Sequence, residues 1–282
     1  MKILETPRDA IQGLNTFIPT TKKIETLNAL LKVGFDIVDV GSFVSDKAIP
    51  QFRDMREVLE KIDLSDSKSD IFILVANGKG GEIASSFEKI DIIGFPFSTS
   101  PTFLKRNINS GFEKSEKIID RLLDIAVKTD KKLFIYLSMA FGNPYGDSDS
   151  PDLIYEWTEK LVSKGISSIS LSDITGVATP DQITEIYSNL TTDFPGTEFG
   201  IHLHVKGDDW YSKIDAAYKN GCKVFDGVIN GLGGCPMTGY ELLGNLPTGN
   251  LIEYAQKNNI PVKIDMEKFK KARELSIVNW MS

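Results

Sequence analysis

Eight short apolar runs alternate with longer amphipathic stretches along the whole chain. No other feature of the sequence narrows the fold as much. The runs fall at 2–5, 36–40, 71–76, 91–95, 132–138, 168–172, 198–204 and 223–229. Each has the length of a buried strand. Between them, apolar residues recur at helical spacing, as with Ile24, Leu27, Leu30 and Leu31 in 20–33 and Ile118, Leu122, Ile125 and Ala126 in 110–128. Further helical patterns cover 50–62, 81–88, 151–164, 180–190, 208–220 and 248–257. Ser150-Pro151-Asp152 and Thr179-Pro180-Asp181 are helix-entry signals. Eight strand–helix units in 282 residues predict an α/β fold, a (β/α)8 TIM barrel, as a single domain over 1–282. A doubly wound open sheet would bring a glycine-rich phosphate turn after its first strand, and Thr6-Pro7-Arg8-Asp9 stands there instead. The tail from 260, helical over 265–279, reads as an extra C-terminal helix on the barrel.

Composition narrows the partners. A formal net charge of −7 argues against nucleic acid. No apolar run approaches the roughly 18 residues that span a bilayer, so no membrane association is expected. The two cysteines, Cys222 and Cys235, cannot build a disulfide framework and suit a reducing setting. The chain opens on Met1-Lys2-Ile3-Leu4-Glu5, which reads as a strand and not as a leader, so a cytoplasmic protein is expected.

In such a barrel the chemistry lies where strands run into helices. His202 and His204 are the only histidines, two apart on one strand, and so point the same way. Paired imidazoles on one face are ready ligands for a divalent metal. Strand 1 ends in Arg8-Asp9, a hard oxygen ligand beside a fixed cation. Asp39, near the end of strand 2, needs a partner if it faces inward, and Arg8 is the candidate. Asp173 at the end of strand 6 either caps the following loop or orients a substrate. After strand 8 comes Asn230-Gly231-Leu232-Gly233-Gly234-Cys235-Pro236, with Asn245 beyond it. Cys222 precedes a buried strand and reads as core, whereas Cys235 sits in a glycine-rich loop and is the reactive candidate. Asp9, His202, His204 and Asn245 together make a set of two nitrogens and two oxygens with positions left for a chelating substrate.

These pieces carry a family resemblance. Pro7-Arg8-Asp9-Ala-Ile-Gln12, Gly41-Ser-Phe-Val-Ser-Asp-Lys47 through Pro50-Gln51, Ser170-Leu-Ser-Asp173, His202-Leu-His204 and Gly231-Leu-Gly-Gly-Cys235-Pro236 resemble 3-hydroxy-3-methylglutaryl-CoA lyase, in order, from Ile3 to about Asn258. The resemblance implies cleavage of the acyl-CoA substrate to acetoacetate and acetyl-CoA, chemistry of the leucine-degradation and ketone-body type. It implies Mg²⁺ or Mn²⁺ held by Asp9, His202, His204 and Asn245. Arg8 and Cys235 match catalytic residues; Asp39 stands where the family has Glu and is a third catalytic candidate, with Asp9 or Asp39 expected to take the substrate's hydroxyl proton. Gln12, Ser42, Ser170 and Asp173 fall at substrate-binding positions. Val205 replaces an Asp that commonly follows the second histidine.

Two other readings fit parts of the pattern. A Claisen-condensing relative of the isopropylmalate or citramalate synthase type shares Arg-Asp and His-x-His, but typically lacks the Gly-Leu-Gly-Gly-Cys-Pro loop. A non-catalytic binding subunit could keep the same barrel. A homodimer is the expected assembly.

Overall fold

The strands β1 (Lys2–Glu5), β2 (Ile37–Ser42), β3 (Asp70–Leu74), β4 (Ile92–Ser98), β5 (Lys132–Ser138), β6 (Ser168–Asp173), β7 (Glu198–Leu203) and β8 (Val224–Gly227) pair in sequence order, all parallel. β8 pairs back onto β1, from Lys2 opposite Val224 to Glu5 opposite Gly227, and closes the barrel. The computed structural model describes residues 1–234 and 244–280. Closure follows from the burial demand of parallel strands. Residues on one phase of each strand pack inside, among them Leu4, Ile37, Phe72, Phe134, Tyr136 and Val224. Those on the other phase, such as Ile3, Val38, Ile73 and Phe225, pack under the helices. The (β/α)8 barrel expected from the sequence is thus present.

Boundaries shift where local chemistry intervenes. A short helix, Pro7–Ile11, starts directly after β1 with Pro7 in its first turn, so Arg8 and Asp9 sit on a helix and not on the strand itself. The pattern at 50–62 divides into a 3-10 turn, Pro50–Phe52, and a helix, Met55–Lys61. An added helix, Pro101–Ile108, lies between β4 and the helix Phe112–Lys128. Ser100 caps it by accepting from the Phe103 N–H at 3.0 Å. β2 carries a bulge between Asp39 and Gly41. β8 ends at Gly227, and 3-10 turn Ile229–Gly231 follows.

The C-terminal helix, Met266–Trp280, packs on the helix Thr20–Leu31, as expected of an extension. Phe269 meets the Phe35 ring edge-on at 6.3 Å, and the Asn279 amide donates to the Thr26 hydroxyl at 3.1 Å. Cys222 is buried, as expected of a core thiol. Among the described residues, no helix is long and apolar enough to cross a membrane.

Candidate active site and metal-binding cluster

At the end of the barrel where the strands run out, a cavity of about 210 Å³ is lined by the polar Arg8, Asp9, Gln12, Tyr136, His202 and His204 and by the apolar Leu74, Pro96, Phe103 and Ile108. The polar floor is set by strand phase. Tyr136, Ser172 and His202 all fall on inward positions of β5, β6 and β7, with Ser172 opposite His202 in register. Asp9, His202 and His204 place their ligand atoms within 4.8 Å of one another, all buried. The two imidazole rings lie 5.3 Å apart. His202 Nε2 is 3.6 Å from Asp9 Oδ2.

Asn245 is brought beside His204 by a second route. The chain returns past β7, where His204 and Asn245 form an isolated antiparallel bridge. The Leu246 N–H donates to the Leu203 carbonyl at 3.0 Å. The Asn245 amide nitrogen donates to the Leu232 carbonyl at 2.8 Å, while Oδ1 is buried with no hydrogen-bond partner. A buried acceptor left unpaired is costly, and a cation at the cluster would satisfy it. The three buried nitrogen and oxygen donors fit a divalent ion with open positions, and the orphaned oxygen of Asn245, on the residue bridged to His204, is a candidate for one of them.

The electrostatics agree. Burial alone would lower the His202 pKa, but Asp226 and Asp9 outweigh it and raise it, so the field at this ring favours positive charge. At Asp9 burial opposes ionisation, yet Arg8 and the two histidines hold the carboxylate below its ordinary range. Arg8 donates from Nε to Asp39 at 2.8 Å and from Nη1 to Gln12 at 3.0 Å and Asp9 at 3.3 Å. The Gln12 amide donates in turn to Asp9. Burial disfavours the guanidinium, but Asp39 and Asp9 more than offset this and keep it charged. The guanidinium is therefore fixed at the cavity wall before any substrate arrives.

Of the residues singled out in the sequence, Arg8, Asp9, Gln12, His202 and His204 line the cavity. Asp39 is fully buried behind Arg8 and does not line it. Burial pushes its carboxyl up to about 7 against the pull of Arg8. Ser42 accepts from the Val44 N–H at 2.9 Å and shapes the loop after β2. Ser170 lies two residues deeper than Ser172 on the same phase of β6, with its hydroxyl unpartnered. Asp173 is out of phase with both and faces away from the cavity. Its oxygens accept from the Val177 N–H at 3.0 Å and the Ala178 N–H at 2.9 Å, and Lys213 Nζ lies 3.9 Å away. Each Asp173 oxygen accepts a backbone N–H of the following loop, which supports the loop-capping alternative. Cys235 lies outside the described residues.

One functional candidate escaped the sequence reading. Asp226, buried on the inward phase of β8, sits 3.1 Å from His202 Nδ1 and accepts the Tyr136 hydroxyl at 2.9 Å. A proton on Nδ1 donated to this carboxylate leaves the Nε2 lone pair facing Asp9. The signal was available: an acid in phase with Val224 inside an apolar strand needs a partner, the same argument that paired Asp39 with Arg8. The Gly231–Gly234 stretch also gains a reason. Gly233 has a φ of +81°, and a Cβ there would lie 2.3 Å from the Asp9 carbonyl, so the arm can pass over Asp9 only as glycine.

Comparison with known proteins agrees with this geometry. A family model described as HMGL-like matches residues 1–275. The chain is 32% identical over 275 residues to the mitochondrial hydroxymethylglutaryl-CoA lyase of Bos taurus, covering 96% of this chain and 83% of that one. It is 30% identical to the hydroxymethylglutaryl-CoA lyase of Bacillus subtilis, covering 98% of this chain and 89% of that one. The crystal structure of the Bacillus subtilis HMG-CoA lyase superimposes with a TM-score of 0.92 at 30% identity, over 100% of this chain and 94% of that one. An HMG-CoA lyase from Acinetobacter baumannii, solved in complex with coenzyme A and 3-methylmalate, gives a TM-score of 0.91 at 28% identity, over 99% and 91%. From the family model, the near-complete coverage and the shared barrel, the chain belongs to the HMGL-like family, that of the hydroxymethylglutaryl-CoA lyases.

Proposed function

We propose that this protein cleaves 3-hydroxy-3-methylglutaryl-CoA to acetoacetate and acetyl-CoA, with Mg²⁺ or Mn²⁺ at Asp9, His202, His204 and Asn245. The observation that carries the reading is one cavity lined by a fixed, charged Arg8 and by the buried Asp9–His202–His204 cluster. Mixed nitrogen and oxygen donors suit Mn²⁺ and accommodate Mg²⁺. When bound, such an ion acidifies and orients the substrate's 3-hydroxyl.

The reaction is a retro-Claisen cleavage. The 3-hydroxyl loses its proton, its oxygen becomes the ketone of acetoacetate, and the C2–C3 bond breaks. The bonding pair moves into the thioester enolate of acetyl-CoA, and a proton then returns to C2. Arg8 stabilises the enolate oxygen, and its three hydrogen bonds keep it from reorienting as charge develops. Of the two carboxylates considered for the hydroxyl proton, only Asp9 faces the cavity, so Asp39 acts through Arg8 as a positioning residue. The apolar wall of Leu74, Pro96, Phe103 and Ile108 keeps water from the enolate. Cys235 supplies the proton to C2 in this reading, and a reducing, cytoplasmic setting suits a free thiol there. Gln12 bridges Arg8 and Asp9 beside the substrate. The acyl-CoA class is supported by coenzyme A in the Acinetobacter baumannii relative. The Claisen-condensing alternative is disfavoured because the relatives matched near 30% identity are lyases. A homodimer is the proposed assembly, checked by light scattering on the purified protein.

The test is a panel of 3-hydroxyacyl-CoA thioesters assayed for acetoacetate and acetyl-CoA. Equimolar release from hydroxymethylglutaryl-CoA, abolished by chelator and restored by Mg²⁺ or Mn²⁺, is expected. No release, with CoA liberated instead from acetyl-CoA plus a 2-oxo acid, would reverse the assignment.

A further inference from the structure

One buried carboxyl outside the cavity grips both arms of the connection that follows β8. Glu5 ends β1 on the outward phase, next to the inward Leu4, and is fully buried. Its Oε1 accepts the Ile229 N–H at 2.8 Å, and its Oε2 accepts the Thr248 hydroxyl at 2.5 Å. Ile229 opens the 3-10 turn leaving β8, and Thr248 opens the helix Thr248–Lys257, three residues after Asn245. Backbone bonds complete the seam, from the Val228 N–H to the Leu246 carbonyl at 3.0 Å and from the Thr248 N–H to the Val228 carbonyl at 3.2 Å. Gly227 makes the approach possible, since a Cβ there would lie 2.7 Å from the Thr248 hydroxyl oxygen. Glu5 also stands three residues ahead of Arg8 and four ahead of Asp9. One side chain therefore joins the strand that delivers Asp9 to the turn that delivers Asn245.

Placing a carboxyl here is costly, and burial pushes it up to about 8 against its two hydrogen bonds. A leucine would fill the space without that cost. It would leave two buried donors, the Ile229 N–H and the Thr248 hydroxyl, without an acceptor.

We infer that Glu5 is a positioning residue for the metal site: by holding Ile229 and Thr248 together it sets where the Asn245 carbonyl sits relative to Asp9, and so sets affinity for a divalent cation. This rests on the reading of Asp9, His202, His204 and Asn245 as the ligands. Glu5 itself does not line the cavity.

The test is titration of the full chain with Mn²⁺, followed by the electron paramagnetic resonance of free Mn²⁺, beside thermal melts of the metal-free protein. Glu5→Gln keeps both contacts, with its carbonyl accepting from Ile229 and its amide donating to the Thr248 oxygen, and is expected to bind Mn²⁺ as wild type does. Glu5→Ala and Thr248→Val are expected to weaken binding about 10–100-fold, with Thr248→Ser restoring it. If Glu5→Ala does not fold, Thr248→Val and Thr248→Ser carry the test. A role confined to fold stability would lower the melting temperature of Thr248→Val and leave its Mn²⁺ affinity at the wild-type value, and that result overturns the proposal. His202→Ala separates the two levels. If it abolishes binding while Thr248→Val does not weaken it, the positioning role alone is refuted. If His202→Ala binds as tightly as wild type, the ligand assignment falls and this inference with it.

Discussion

Asp226→Asn is the perturbation that most sharply separates packing from metal chemistry. Asp226 Oδ2 meets His202 Nδ1 at 3.1 Å and the Tyr136 hydroxyl at 2.9 Å, while Oδ1 is buried without a partner. A carboxylate can only accept, so it selects the tautomer with the proton on Nδ1 and frees Nε2 as a ligand. An amide of the same size can present its NH₂ to Nδ1 and select the opposite tautomer, which cannot ligate. The loss is one buried charge-assisted hydrogen bond, about 1.5–3 kcal/mol, or roughly 10–150-fold in metal affinity. Mutations of groups that orient metal-bound histidines fall in the same range, about 10–100-fold. Metal-free stability should change little or rise, because burial already raises the Asp226 pKa and disfavours its charge. Calorimetric Mn²⁺ titration and a melt of the metal-free protein measure both quantities. Unchanged Mn²⁺ affinity with a large loss of metal-free stability would refute the reasoning and make Asp226 a purely structural acid.

Further predictions concern Arg8, Cys235 and Glu5. Arg8→Gln should lower kcat about 10²–10³-fold with little change in substrate affinity, since its charge is needed most as the enolate forms; steady-state kinetics with wild-type kcat would remove it from the transition state. Cys235→Ser should fold, bind Mn²⁺ and lose most turnover, and a near-wild-type kcat would assign the proton to another group. The Glu5 carboxyl, raised from 4.5 to about 8, is protonated in the fold where the unfolded chain has already released its proton. Its contribution is therefore complete below about pH 4.5 and is lost as pH rises through about 8, a change on the order of 5 kcal/mol. Glu5→Gln should flatten that fall in denaturant-unfolding stability, and an identical pH dependence in the variant would contradict it.

The barrel was legible because parallel strands buried on both faces must be apolar throughout, and the eight runs announce themselves against helices of a different period. His202 and His204 were legible for the same reason, since strand alternation alone puts both on one side. What the sequence could not settle is phase against closure. Asp173 and Ser172 are neighbours, yet one caps an outer loop and the other lines the cavity. The need of an inward Asp39 for a cation points to Arg8, but only the bulge in β2 and the helix Pro7–Ile11 decide that it stands behind the guanidinium. Glu5 and Asp226 were passed over because each is a single acid in a short apolar strand, and their partners are 224 and 24 residues away in the chain. Such contacts come from the pairing of β7 with β8 and, for Glu5, from closure of β8 onto β1, neither of which a local window contains.

In the proposed reaction Asp9, His202, His204 and Asn245 converge on one divalent ion. Diffraction from crystals grown with Mn²⁺, recorded for anomalous scattering, tests it most directly. One strong peak is expected at the end of the barrel, within coordination distance of all four side chains. A peak bound elsewhere, with the Asn245 carbonyl turned away from the two imidazoles, would contradict it.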